Sequence, residues 1–191
     1  MGLWHAMLGR SKPKAPNLDS LFLIPSAAIT LQTAAGFEPT GTGSVCFRAA
    51  TGAAFTQTQA EVIDLIERDP RAPAVRVSQD VYGYTWLVVE GDASDLTGLC
   101  TDLHAVNSTL QEQGFDHGLL CTLIAFADSA GRRVGLVYLY KQGTFYPFAP
   151  VAGEQRRDNL LELQVRDQLA TELPVEQDLQ RWLAVWDAPG L

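Results

Sequence analysis

The densest apolar pattern in the chain lies between Leu119 and Phe148. It is three short runs, Leu119–Ala127, Arg133–Tyr140 and Phe145–Phe148. The breaks between them, Asp128-Ser129-Ala130-Gly131-Arg132 and Lys141-Gln142-Gly143-Thr144, have turn chemistry. Runs joined this closely predict an antiparallel meander. Both faces of the first two runs are apolar, so other elements are expected to cover the sheet on both sides.

Upstream, Val45-Cys46-Phe47-Arg48 reads as a strand with Cys46 on one face and Val45 and Phe47 on the other. Pro39-Thr40-Gly41-Thr42-Gly43 before it reads as a loop. Val75–Gln79 and Tyr82–Glu90 read as strands around a turn near Asp80. In the second, Tyr82, Tyr84, Trp86 and Val88 share one face, and Leu87 and Val89 lie on the other.

Helical spacing is clearest at Leu96, Leu99, Cys100, Leu103, Val106 and Leu110, an amphipathic stripe that Gly114 closes. Thr58 and Glu61 form a capping box ahead of Val62, Ile63, Leu65 and Ile66, and Asp69-Pro70 ends that helix. Asn17 is placed to cap a turn carrying Leu18, Leu21 and Phe22. Pro25 opens a helix that continues from Ser26 to Ala35 and stops at Gly36, although Ile29-Thr30-Leu31 also permits a strand.

At the C-terminal end, Leu161, Val165, Leu169 and Leu173 make one stripe. After Pro174, Val175, Leu179, Trp182, Leu183 and Trp186 make a second, which predicts two C-terminal helices with a kink or turn at the proline. Strands and helices come in clusters without strict alternation. The expected architecture is α+β, a mostly antiparallel sheet with a central meander and helices packed on it.

Length adds that 191 residues suit one domain with a sizeable core. Charge adds a division. Arg10, Lys12 and Lys14 give residues 1–17 a charge of +3, so the remaining chain carries 11 basic against 22 acidic residues, or −11. Leu3, Trp4, Met7 and Leu8 are spaced to share a face of one or two helical turns beside those basic residues. The expected organisation is a basic amphipathic segment, 1–16, followed by a single domain, 17–191. The apolar face of the segment is suited to a membrane surface or a protein partner, or to covering the chain's own sheet, and a frayed terminus is the plainest alternative. The acidic body repels phosphate backbones and argues against nucleic acid as the main partner. No spanning helix and no secretory signal are expected, and Ala6 stands where a myristoylation motif wants Ser or Thr.

Candidate chemistry is sparse. Cys46, Cys100 and Cys121 each sit in an apolar run without a Cys-x-x-Cys pair, which points to reduced thiols in a reducing compartment. Cys100 and His104 lie four apart on one helix, the spacing of a thiol–imidazole pair, but Cys100 is at a core position. Adding His117 and Cys121 makes a zinc-like spacing with no knuckle turn. Gly41-Thr42-Gly43 lacks the downstream Lys and Ser or Thr of a phosphate loop. The expectation is therefore a non-enzyme without metal or cofactor. Tyr82, Tyr84 and Trp86 form a candidate aromatic binding face, with packing under a helix as the alternative.

Three strings carry a family resemblance: Met1-Gly2-Leu3-Trp4 with Leu8-Gly9-Arg10-Ser11-Lys12, Leu21-Phe22-x-x-Pro25-Ser26-Ala27-Ala28-Ile29-Thr30-Leu31, and Thr40-Gly41-Thr42-Gly43-Ser44-Val45-Cys46-Phe47-Arg48. With these the chain resembles the actinobacterial PspA-associated family PspAB over nearly its whole length. The resemblance implies a cytoplasmic accessory of the phage-shock envelope-stress system, linked to PspA and to the membrane protease HtpX, and peripheral at the inner face of the membrane if the basic segment engages lipid. It carries over no catalytic residues. The first functional reading is an adaptor whose Leu3, Trp4, Met7, Leu8, Arg10, Lys12 and Lys14 contact a membrane or partner. The second, by analogy of architecture, is a dimeric chaperone-like peptide binder similar to secretion chaperones or YbjN-like folds. The third is an enzyme using Cys100 and His104.

With three basic residues worth ~1 kcal/mol each at an anionic surface, membrane binding by residues 1–16 is expected to be weak. Deleting residues 1–16 should reduce co-sedimentation with anionic vesicles, and unchanged sedimentation would remove the membrane contact from the account.

Overall fold

The computed structural model describes residues 17–48, 60, 63–64, 68 and 74–191. Segment 1–16 and most of the expected 58–69 helix lie outside the described residues. Among the described residues, six strands form one antiparallel sheet: β1 (Glu38–Phe47), β2 (Val75–Gln79), β3 (Thr85–Glu90), β4 (Leu119–Ala127), β5 (Arg133–Leu139) and β6 (Thr144–Phe148). Their spatial order is β2-β3-β1-β4-β5-β6, so β4-β5-β6 is the expected meander and β1 joins it to the β2–β3 hairpin. The fold is α+β.

Strand alternation divides the interior into two layers. Val45, Phe47, Leu87, Val89, Ile124, Phe126, Val134, Leu136, Tyr138 and Phe145 face the helices. Cys46, Trp86, Val88, Cys121, Leu123, Ala125, Val137, Tyr146 and Phe148 face the other way. Leu119 and Cys121 would share a face under strict alternation. The register shift between Cys46 and Phe47, which pair with Cys121 and Leu119, sends Leu119 to the helix side.

The helix side is covered by α1 (Ile24–Ala35), α2 (Leu96–Glu112) and α3 (Asn159–Leu169). Pro25 sits in the first turn of α1, and Gly36 closes it in the left-handed conformation, which excludes the strand alternative. Every expected stripe residue of α2 is buried, and Asp95 caps it by accepting from the Gly98 amide. Gly43 lets α2 approach β1, since a Cβ there would lie 2.6 Å from Leu103 Cδ1. Buried Asn107 donates to the Leu103 carbonyl and to Thr122 Oγ1, tying α2 to β4.

Three local expectations are corrected. The Pro39–Gly43 segment belongs to β1: Glu38 pairs with Ala127 and Thr42 with Glu90, with an irregularity between Pro39 and Gly43 absorbing the proline and glycines. Asn17 makes no side-chain cap; its carbonyl accepts from Ser20 N and from Tyr138 Oη, and the turn it precedes is a 3-10 helix, Leu18–Leu23. The run Leu18–Ala35 meets the length and composition of a membrane-crossing helix, with mean hydropathy 1.3, contrary to the expectation of none. In this fold its Leu21, Ile24, Ala27 and Leu31 pack into the helix-side core.

The second C-terminal helix is absent. After α3 the chain becomes a strap across the other sheet face, with one 3-10 turn at Leu179–Arg181. It starts by pairing with the β6 edge, where Phe145 N donates to the Pro174 carbonyl and Glu176 N to the Phe145 carbonyl. Trp182 is buried, while Leu179 and Leu183, its supposed stripe partners, are 54% and 65% exposed. The carbonyls a helix would use are taken by side chains: Tyr146 Oη donates to the Leu183 carbonyl and Arg157 Nη1 to that of Trp182. Asp187 and Gly190 at positive φ complete the break.

Arg157 holds this arrangement. Its Nε donates to both Glu162 carboxylate oxygens at 2.9 and 3.1 Å, its Nη1 reaches the strap, and its guanidinium lies over the Phe148 ring. The Glu162 carboxylate, buried, also accepts from the Ala149 amide. Replacing Arg157 with Ala leaves that carboxylate buried and uncompensated, so Arg157→Ala should lower unfolding free energy by about 3–5 kcal/mol in urea titrations. A loss under about 0.5 kcal/mol, the usual scale of a surface change, would contradict the pinning role.

Candidate functional site

Asp80 organises one wall of a groove at the β2–β3 end of the sheet. Its Oδ1 accepts from the backbone amides of Tyr82 and Tyr84, and its Oδ2 accepts from Trp86 Nε1, each at 2.9 Å. The Asp80-Val81-Tyr82-Gly83 turn is thus an Asx turn with Gly83 at positive φ, so β3 starts at Thr85 and not at Tyr82. Tyr82 is half exposed, Tyr84 half buried and Trp86 buried. The three expected aromatics still line one groove, Trp86 as its packed base and Tyr82 at its lip.

The groove has a volume of about 680 Å3. The opposite wall is the strap, Leu183 to Trp186, and the floor includes Cys46, Cys121, Leu120 and Tyr146. Arg48, Asp80 and Lys141 place charge at its edges. Tyr146 stacks on Trp182 with ring centroids 5.9 Å apart, and Phe148 meets Trp186 edge-on at 5.0 Å. Burial raises the Tyr146 phenol above its ordinary range, which keeps it a donor to the strap. Contact with the Cys121 thiol, followed by burial, raises the Cys46 thiol.

The other candidate residues are not brought together. Cys100 is fully buried in the helix-side core, where burial pushes its thiol up to about 12. His104 turns outward and stacks on Phe22 at 4.9 Å. His117 is exposed, and Cys121 lies on the opposite sheet face from Cys100. One constellation was not visible in the sequence: His104 Nδ1 is 3.4 Å from Ser108 Oγ and its Nε2 is 3.3 Å from Asp19 Oδ1. This has the connectivity of a serine triad, but none of the three lines the groove, and Asp19 is largely solvent-exposed. Among the described residues, no group of three or more His, Cys, Asp and Glu side chains is arranged to hold a metal ion. The candidate residues of segment 1–16 lie outside the described residues.

Comparison with known families agrees with the sequence strings. The family model described as PspA associated protein B matches residues 1–190. The chain belongs to the PspAB family. No curated protein and no solved structure matches it significantly. The matched range includes β1, both walls of the groove and the strap, so the family sequence spans the whole site.

Sequence reasoning grouped the aromatics but missed Asp80, the strap wall and the facing thiols. The Asp-x-x-Gly spacing at 80–83 was the available signal for the turn. Asp80→Ala removes three hydrogen bonds to one carboxylate and should cost about 2 kcal/mol of stability, with a red-shifted tryptophan emission as Trp86 loses its partner. Unchanged emission and stability would show that Asp80 does not set this wall.

Proposed function

We propose that this chain is a non-enzymatic binding protein of an envelope-stress system, an adaptor that uses the groove to hold a segment of PspA. The groove carries this reading. Its volume falls within the ~300–1,000 Å3 typical of ligand pockets, its walls are aromatic and aliphatic, and its charges sit at the edges. Such a site suits one or two apolar side chains projecting from a partner helix. The family description, PspA associated protein B, supports PspA as that partner. The acidic body disfavours nucleic acid, and the basic segment 1–16 supplies a second, weaker contact at an anionic membrane surface. On this reading the protein acts in the cytoplasm and works by holding a partner without chemical change. The separation of Cys100 and His104 between the core and the outer face of α2 favours binding over a thiol–imidazole mechanism.

The test is calorimetric titration of the full chain with purified PspA. Tyr82 and Leu183 are exposed at facing lips of the groove, so Tyr82→Ala and Leu183→Glu should leave the fold intact. Each is expected to weaken binding roughly tenfold or more, the scale of an interface anchor. Ile29→Glu on the exposed face of α1 should bind as the unmodified chain does. Equal binding by all three variants, or no binding by the intact chain, would overturn the proposal.

A further inference from the structure

Cys46 and Cys121 are direct partners in the antiparallel pairing of β1 with β4. Both side chains point to the strap side of the sheet, and both line the floor of the groove. They are free thiols, 3% and 6% exposed. Directly opposed residues of an antiparallel pair have Cα atoms about 4.5–5.5 Å apart, inside the 4.4–6.8 Å span that a disulfide bridges. The ladder is also irregular at this point. The next pair after Cys46–Cys121 is Phe47–Leu119, so Leu120 is an extra residue on β4 beside the thiols. A bulge of this kind interrupts the ladder and gives the two strands local freedom to adjust.

We infer that Cys46 and Cys121 form an oxidisable dithiol in the groove floor, a modification site at which a hydroperoxide closes a cross-strand disulfide between β1 and β4. The chemistry takes two steps. The Cys121 sulfur attacks hydrogen peroxide: the O–O bond breaks, an S–O bond forms, and water leaves as the sulfur becomes a sulfenic acid. The Cys46 sulfur then attacks the sulfenic sulfur, an S–S bond replaces the S–O bond, and the departing hydroxide leaves as water with the Cys46 proton. Two electrons pass from the thiol pair to one peroxide, and a dithiol reductant returns them. Contact with the Cys121 thiol, followed by burial, raises the Cys46 thiol and makes it the poorer first nucleophile. Cys121 is therefore assigned the attack on peroxide, and Cys46 gives up its proton only as the S–S bond forms. Cys100 is the internal control. It is fully buried in the layer on the far side of the sheet and faces neither thiol. The assignment does not depend on what the groove binds.

The test uses the reduced full-length chain and hydrogen peroxide, followed by alkylation and digestion without reductant. Trypsin alone leaves Cys100 and Cys121 on one peptide, so a glutamate-specific protease is added to cut after Glu112 between them. The expected result is an intramolecular peptide linking Cys46 to Cys121, reversed by dithiothreitol. Alkylatable Cys46 and Cys121 should disappear roughly tenfold or more faster than Cys100, as access dictates. In Cys46→Ala, dimedone should trap a sulfenic acid at Cys121. The decisive readout comes from the unmodified chain, so a variant that fails to fold does not rescue the idea. The inference is overturned if Cys46 and Cys121 stay alkylatable at a dose that oxidises Met1 and Met7, or if the links join separate chains or involve Cys100 equally.

Discussion

A sheet that is apolar on both faces has to be covered twice, and this fold is shaped by how the second cover is made. The first cover is conventional: among the described residues, three amphipathic helices bury one face with interlocking side chains. The second is a length of irregular chain, which cannot satisfy its own backbone as a helix does. The sheet and the segment leading into α3 satisfy it instead, through Tyr146, Arg157 and the β6 edge. The Arg157–Glu162 pair matters because it reaches across these parts. It couples the start of α3, the aromatic Phe148 and the strap in one buried network. A buried ion pair adds little net stability compared with apolar packing, but breaking it is costly, so it fixes one arrangement of the strap over others.

That solution leaves a gap. A strap covers less width than a helix, and between it and the β2–β3 hairpin the sheet remains open as the groove. The Asp80 turn sets one wall by presenting three aromatic residues from consecutive alternate positions, and the strap sets the other. The two thiols in the floor follow from the same geometry. A strand pair whose strap-side residues are Cys46 and Cys121 necessarily places them side by side at the open part of that face. Holding a partner and responding to an oxidant are separate properties proposed for one groove of the second layer.

The meander and α2 were readable because their patterns are long and consistent. Two apolar runs with turn chemistry between them leave few arrangements, and six stripe residues of α2 fit one helical face. The strap imitates a helix in sequence because Trp182, Leu183 and Trp186 fall at helical offsets, while its conformation is decided by two distant donors, Tyr146 and Arg157, that capture the carbonyls of Leu183 and Trp182. The first half of β1 was hidden by Pro39 and its glycines, which signal a loop locally but are tolerated beside an irregularity in pairing. Tyr82, Tyr84 and Trp86 line one groove although only Trp86 lies in β3, because their alternate spacing survives the turn. The facing of Cys46 and Cys121 depends on the register between strands far apart in the chain, which local pattern does not encode.

On the proposed reading, a segment of PspA docks on the incompletely covered second face of the sheet. Hydrogen–deuterium exchange of the full chain with and without PspA tests it most directly. Binding is expected to slow exchange in the Asp80–Trp86 turn, at Leu119–Cys121, at Leu139–Gln142 and in the strap from Leu183 to Trp186, with the outer faces of α1 and α2 unchanged. Protection confined to α1, α2 or residues 1–16, with the groove segments exchanging as before, would contradict it.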